Sequence, residues 1–337
     1  MSELTCQAKN QAKRWGILGT SFISGVMAEA IRQDGQSQIY AVAGRSPEPR
    51  EALAKQYDIP VQHDSYDALI ADPKVDIVYI ALPNHLHHEY VIKAAQSGKA
   101  ILCEKSLSVD MEKTDAALAA VSQHQVFFAE GLMYLNHPFT AKILEVVKSG
   151  QIGELRSIQG QYTAAISQFV NPDSKGALYN LGCYPVSLLH LIIEQCCGSE
   201  AAGNYTVSAM GRRGQDGNIC EALANFQFAN GLMAQLHTAE DYGLHAEFTV
   251  LGSSGSLQVT SNPWLPEVNN QLTVTQYEQT PQVIDVPADG DGFLYQVRAV
   301  LKALDCQETQ LPRPAARTGD SRQIMKLLTD WEAAVTA

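Results

Sequence analysis

Five short apolar runs, each separated from the next by a helical pattern, set the limits on how the first 130 residues can fold. They are Trp15–Gly19, Ile39–Gly44, Val75–Leu82, Ala100–Cys103 and Gln125–Glu130. Runs that are apolar on consecutive positions suit strands covered on both faces. Helical stretches lie between them, including Glu51–Tyr57, Ser65–Ile70, His85–Ser97 (closed by Gly98) and Met111–Gln123. Strands joined through helices form βαβ units, so the expected architecture is α/β, a doubly wound parallel sheet.

The pattern changes after a helix at Phe139–Lys148. Strand-like runs become longer and alternate polar with apolar: Glu154–Ala165, Tyr205–Arg213, Cys220–Phe228, Leu232–Thr238, Glu247–Leu251, Ser256–Thr260 and Gln271–Tyr277. Asn230-Gly231 and Ser253-Ser254-Gly255 are hairpin signals between them. Helices are expected at Leu178–Cys197, Phe293–Asp305 and Asp320–Val335. This is an α+β domain with a large, mostly antiparallel open sheet, one face covered by helices. The division is expected at 1–134 and 135–337, with 1–13 a flexible lead-in.

Composition narrows the function classes. With 24 basic and 36 acidic side chains, the net charge is −12, which argues against nucleic acid or an anionic membrane as partner. No run approaches the roughly 18 apolar residues that cross a bilayer. The polar start shows no signal-peptide core. Seven cysteines without C-x-x-C spacing fit reduced thiols in a cytoplasmic protein. His85, His87 and His88 lack a nearby acid triad, and no metal site is expected.

Two stretches point to a dinucleotide. Gly19-Thr20-Ser21-Phe22-Ile23-Ser24 stands where a Rossmann domain places its glycine-rich turn. The first glycine permits the tight turn, and a small residue at Ser24 permits close packing of helix on strand. Ser21 departs from the usual second glycine, and alone this half-motif equally fits an ordinary βα turn. At the end of the second run stand Gly44, Arg45 and Ser46, with Arg50 close behind. An acid there would meet a ribose 2′-hydroxyl; a guanidinium suits a 2′-phosphate. The expected cofactor is therefore NADP, with NAD the less favoured form.

Several segments together resemble the Gfo/Idh/MocA oxidoreductases. They are Arg14–Thr20, Pro83-Asn-His-Leu-His87, Cys103-Glu-Lys105, Glu130–Tyr134 with His137-Pro138, and Gly176–Tyr184. Within that family, Trp15-Gly16, Gly44-Arg45-Ser46 and Tyr184 most resemble the dihydrodiol dehydrogenase and NADP-dependent aldose dehydrogenase branch. The resemblance implies that Leu82, Pro83 and Asn84 lie on the cofactor side, that His87 is a structural or cofactor-side residue, and that Glu104 orients the loop or ribose. It implies that Lys105 touches both the nicotinamide ribose and the substrate oxygen. An ammonium there favours a developing alkoxide. Ser106 replaces the family's usual proline, which removes that residue's bias toward a cis bond.

Asn180 and Tyr184 are spaced to share one helix face. In the family they resemble, the first position is often an aspartate and the second a histidine or tyrosine. Asn180 cannot take a proton, so the resemblance implies Tyr184 as the proton carrier, its pKa drawn down from about 10 by the lysine. The resemblance further implies that Asn180, Tyr134 and Asp216 line the substrate pocket, although Asp216 equally suits a turn. Leu135 stands where an arginine is common. The expected activity is an NADP-dependent hydride transfer to or from a sugar, polyol or cyclic alcohol or carbonyl. The rival is a family member without turnover that binds a nucleotide or sugar as a regulator. The uncovered sheet face is the expected contact of a homodimer, or of a higher oligomer.

Overall fold

The computed structural model describes residues 12–336, so most of the expected lead-in lies outside the described residues. The strands of the first sheet are β1 (Arg14–Leu18), β2 (Gln38–Ala43), β3 (Val61–His63), β4 (Ile77–Ile80), β5 (Ala100–Cys103) and β6 (Phe128–Glu130). All neighbours pair in parallel, in the order β3-β2-β1-β4-β5-β6. The order reverses between β1 and β4, and a crevice at such a switch point is where doubly wound sheets bind dinucleotides. β3 has no counterpart among the expected runs. It has three residues, one exposed between two half-buried, so no apolar periodicity announces it.

Two compact units divide the chain. The first holds this sheet and also residues 293–318, which return from near the C-terminus. Helix Gly292–Asp305 supplies Val297, Val300 and Leu301 to the same core as Trp15, Ile17, Val42, Tyr79 and Leu102. A reading that runs the second domain from 135 straight to 337 does not see this return, because an amphipathic helix does not state which sheet it covers.

The second unit is built on nine strands. They are β7 (Leu155–Ala164), β8 (Tyr205–Arg213), β9 (Ile219–Phe228), β10 (Met233–Ala239), β11 (Leu244–Gly252), β12 (Gly255–Val259), β13 (Asn269–Gln276), β14 (Gln282–Pro287) and β15 (Val335–Thr336). Their order is β14-β13-β12-β11-β7-β10-β9-β8-β15. Pairing is antiparallel except β7 with β10 and β8 with β15. Both hairpin signals hold: β9–β10 turns at Asn230-Gly231, and β11–β12 at Ser253-Ser254.

On one face of this sheet lie Ile158, Tyr162, Ala222, Ala224, Phe226, Leu236 and Thr238, all buried. Helix Cys183–Cys197 is buried at every position from Cys183 to Ile193, as a helix that is apolar all round must be. The other face shows exposed Gln159, Asn225, Gln227 and Gln235, with Met210 and Met233 more than half exposed. No helix among the described residues is long and apolar enough to cross a membrane.

Candidate active site

The switch-point crevice is built from strand ends. Gly19 follows β1 with φ +106°, and a Cβ there would lie 2.4 Å from the Ala81 carbonyl oxygen. Only glycine fits that turn. Ser21 has φ −79° and extended backbone, so the motif's second position needs no glycine conformation here. Its Oγ lies 3.4 Å from both Ser24 Oγ and the Ala81 oxygen, and Ser24 Oγ donates to the Gly19 carbonyl at 3.0 Å. The helix Phe22–Asp34 carries no acid in its first turn, which leaves its positive end suited to a phosphate. Phe22 is exposed and Ile23 half-buried.

At the end of β2, Gly44 meets Thr20: a Cβ at 44 would lie 2.8 Å from Thr20 Cγ2. Arg45 and Ser46 are exposed beyond it. Arg50 is placed differently from the expected phosphate contact. It is buried, donates to the Gly44 carbonyl at 2.9 Å, and pairs with Asp64 at 2.8 Å. Its guanidinium pins the loop on which Arg45 stands. These residues fit a dinucleotide. Among the described residues, no cluster of three or more His, Cys, Asp or Glu is arranged to hold a metal.

Glu104 and Lys105 follow β5 directly. Glu104 is buried and accepts from the Tyr79 hydroxyl at 2.7 Å; burial raises its pKa, against that bond and the Lys105 charge. Gly131 comes close enough that a Cβ would lie 3.0 Å from Glu104 Oε1. Lys105 is half-buried. Ser106 was expected to lose the bias toward a cis bond; the Lys105–Ser106 bond is nevertheless cis.

His87 ties the ends of two strands together. It is wholly buried, with Nδ1 2.8 Å from the Ser106 carbonyl oxygen and Nε2 2.6 Å from that of Leu82. It thereby clamps the lysine loop to the end of β4, beside Pro83 and the buried Asn84. Burial pushes its pKa down to about 4, although both carbonyls favour the charged ring. In an unfolded chain the ring takes up its proton near pH 6.5, so folding stability falls as the pH drops from there toward 4, by up to about 3 kcal/mol. Chemical denaturation at neutral and at about pH 4.5 should show a smaller loss for His87→Gln than for the unsubstituted protein. Equal losses would contradict this reading of His87.

In the second unit the expected helix Leu178–Cys197 begins with a π-turn, Leu178–Gly182, before the α-helix proper. Such widened turns are frequent at functional sites. Asn180 lies in the wide turn and Tyr184 in the α-helix, both nearly buried. Tyr184 sits in an aromatic nest: ring centroids lie 5.2 Å away for Tyr162, 5.9 Å for Tyr134 and 6.3 Å for Trp264. Tyr134 does not occupy the place expected of a substrate contact. It is fully buried, donates to the Tyr184 carbonyl at 3.1 Å, and its hydroxyl lies 2.7 Å from Ser187 Oγ. It braces the helix that carries Tyr184. Asp216 is exposed, and its carboxylate accepts from the Asn218 N–H at 3.0 Å and from that residue's amide at 2.8 Å. That is the geometry of a turn.

Sequence reasoning missed Glu240. It follows β10, is 3% exposed, and accepts from Asn180 Nδ2 at 2.7 Å. The parity of β10 offered a signal: Ala234, Leu236 and Thr238 point to the helix-covered face, and Glu240 is next in that row. Tyr79 was missed because it reads as one more core residue of an apolar run.

Comparison with known proteins agrees with this architecture. Residues 13–132 match the model of an oxidoreductase family with an NAD-binding Rossmann fold. Residues 140–258 match that of a GFO/IDH/MocA C-terminal domain. A D-xylose 1-dehydrogenase (NADP(+)) from Haloferax volcanii is 28% identical, over 88% of this chain and 90% of its own. A trans-1,2-dihydrobenzene-1,2-diol dehydrogenase from Xenopus laevis is 26% identical, over 87% and 89%. Among solved structures, a 3-ketoreductase from Actinomadura kijaniata, in complex with NADP and TDP-benzene, superimposes with a TM-score of 0.85. It is 22% identical, over 96% of this chain and 98% of that one. With both parts of the fold matched, the chain belongs to the Gfo/Idh/MocA oxidoreductases and is an NAD(P)-binding dehydrogenase or reductase acting on CH–OH groups.

Proposed function

We propose that the protein is an NADP-dependent dehydrogenase or reductase of a neutral sugar, polyol or cyclic diol. The observation that carries this is the strand-end geometry around Lys105. The lysine follows β5, its neighbour Glu104 is fixed by Tyr79, and its loop is clamped by His87. The substrate classes in the names of the xylose and dihydrodiol relatives support the reading.

In this reading a bound nicotinamide supplies the hydride acceptor or donor. Lys105 holds the ribose and stabilises the charge that develops on the substrate oxygen. Tyr184 takes the hydroxyl proton in oxidation and returns it in reduction. Tyr134 fixes the helix backbone beneath it, and Glu104 holds the lysine loop. Arg45 faces the 2′-phosphate end, with Arg50 as the pin of its loop.

A panel of pentoses, hexoses and vicinal diols, followed by NADPH formation, tests the proposal. Turnover of at least one member with NADP is the expected result. Cofactor binding without turnover of any alcohol or of the matching carbonyls would instead favour a regulatory binding protein.

A further inference from the structure

We propose that Glu240 is a substrate-binding residue, held in place by Asn180, that accepts a hydrogen bond from a second hydroxyl of a neutral polyhydroxylated substrate. This rests on the reading of the protein as a sugar or diol oxidoreductase and names the part of the substrate that the second unit would read.

Glu240 is buried and carboxylate-bearing, yet among the described residues no cation is paired with it. Among the described residues its carboxylate has one polar partner, the neutral amide of Asn180. Burial raises its pKa, the Asn180 bond works against that rise, and the like charges of Asp216 and Asp241 add to it. A buried carboxylate normally has a cation or several donors, since leaving it short of them is costly. A ligand rich in hydroxyl groups supplies the missing donors.

Its backbone is fixed on both sides. The Glu240 N–H donates to the Cys220 carbonyl at 2.9 Å, and its own carbonyl accepts from Ile166 and Ser167, each at 2.8 Å. The side chain is thus held rigid on a sheet terminus, not on a mobile loop. Asn180 fixes it from the π-turn, one helical step before Tyr184. Thr238, two residues earlier on the same face, donates to the carbonyl of Tyr162, whose ring meets that of Tyr184 edge-on. Glu240 therefore belongs to the surroundings of the proton-carrying tyrosine. The acidic neighbours also disfavour a phosphate or carboxylate on this part of the substrate.

Asn180 gains a defined role from this arrangement. An amide can donate to Glu240 through Nδ2 and still accept through its oxygen. An aspartate at 180 would put a second carboxylate against the first.

The test is calorimetric affinity of the NADP-loaded protein for trans-1,2-cyclohexanediol and for cyclohexanol, which lacks the second hydroxyl. The unsubstituted protein should prefer the diol by about tenfold or more, as expected where a buried charged acceptor meets a hydroxyl. Glu240→Gln should reduce that ratio to about threefold or less, with the melting temperature recorded alongside. Glu240→Asp, which keeps the charge, should retain an intermediate ratio and serves where the Gln variant does not fold. An unchanged ratio in either variant overturns the proposal, as does absence of a preference, or of binding, in the unsubstituted protein. Turnover is measured separately. Its absence would count against the oxidoreductase chemistry, while the affinity ratios still decide the role of Glu240.

Discussion

Lys105→Met and Tyr184→Phe should each lower kcat by about 10²–10⁴-fold, the range over which a lost proton carrier or a lost oxyanion partner slows a reaction. The two losses should differ in what accompanies them. Methionine keeps the length and apolar stem of Lys105 but removes its charge, so cofactor affinity should weaken together with turnover. Phenylalanine keeps the ring of Tyr184 within the nest of Tyr134, Tyr162 and Trp264, so cofactor affinity should be unchanged while turnover collapses. Steady-state kinetics with fluorescence titration of NADPH would report both. Rates within about tenfold of the unsubstituted enzyme would remove these residues from the chemistry.

Arg45→Asp should reverse the cofactor preference, moving the ratio of kcat/KM for NADP over NAD by about 10²-fold or more. The substitution removes a guanidinium from the exposed end of β2 and puts there an acid that repels a 2′-phosphate and can accept from a ribose hydroxyl. Arg50→Ala separates this effect from a structural one. That guanidinium holds the Gly44 carbonyl and Asp64, so its loss should weaken both cofactors alike and lower the melting temperature. An unaltered ratio in Arg45→Asp would place cofactor selection elsewhere.

The sequence carried the parallel sheet because its strands are buried on both faces and read as unbroken apolar runs. It carried the hairpins of the second sheet because Asn230-Gly231 and Ser253–Gly255 have turn chemistry that few other residues supply. It did not carry β3, whose three residues have no inward periodicity, or β14, whose burial pattern is exposed at most positions. The site divides in the same way. Gly19, Glu104 and Lys105 are legible because they end apolar runs, where ligands gather. The tasks of Arg50 and Tyr134 are not, since a buried arginine pinning a carbonyl and an exposed one at the end of β2 have the same letter. Glu240 was hidden by distance along the chain. Its partner Asn180 is 60 residues away, and only the sheet brings them together.

The return of residues 293–318 to the first unit bears on how the chain is made. Synthesis proceeds from the N-terminus, and domains generally fold as they emerge. Here the leading 131 residues leave the ribosome without Val297, Val300 and Leu301, which complete their core. They also lack Thr309, whose carbonyl accepts from the Phe128 N–H on edge strand β6. The nucleotide unit therefore waits, with an apolar surface and a strand edge unsheltered, until strands β7 to β14 of the second sheet have been translated. A cell making this protein has to keep that nascent surface from pairing with its neighbours.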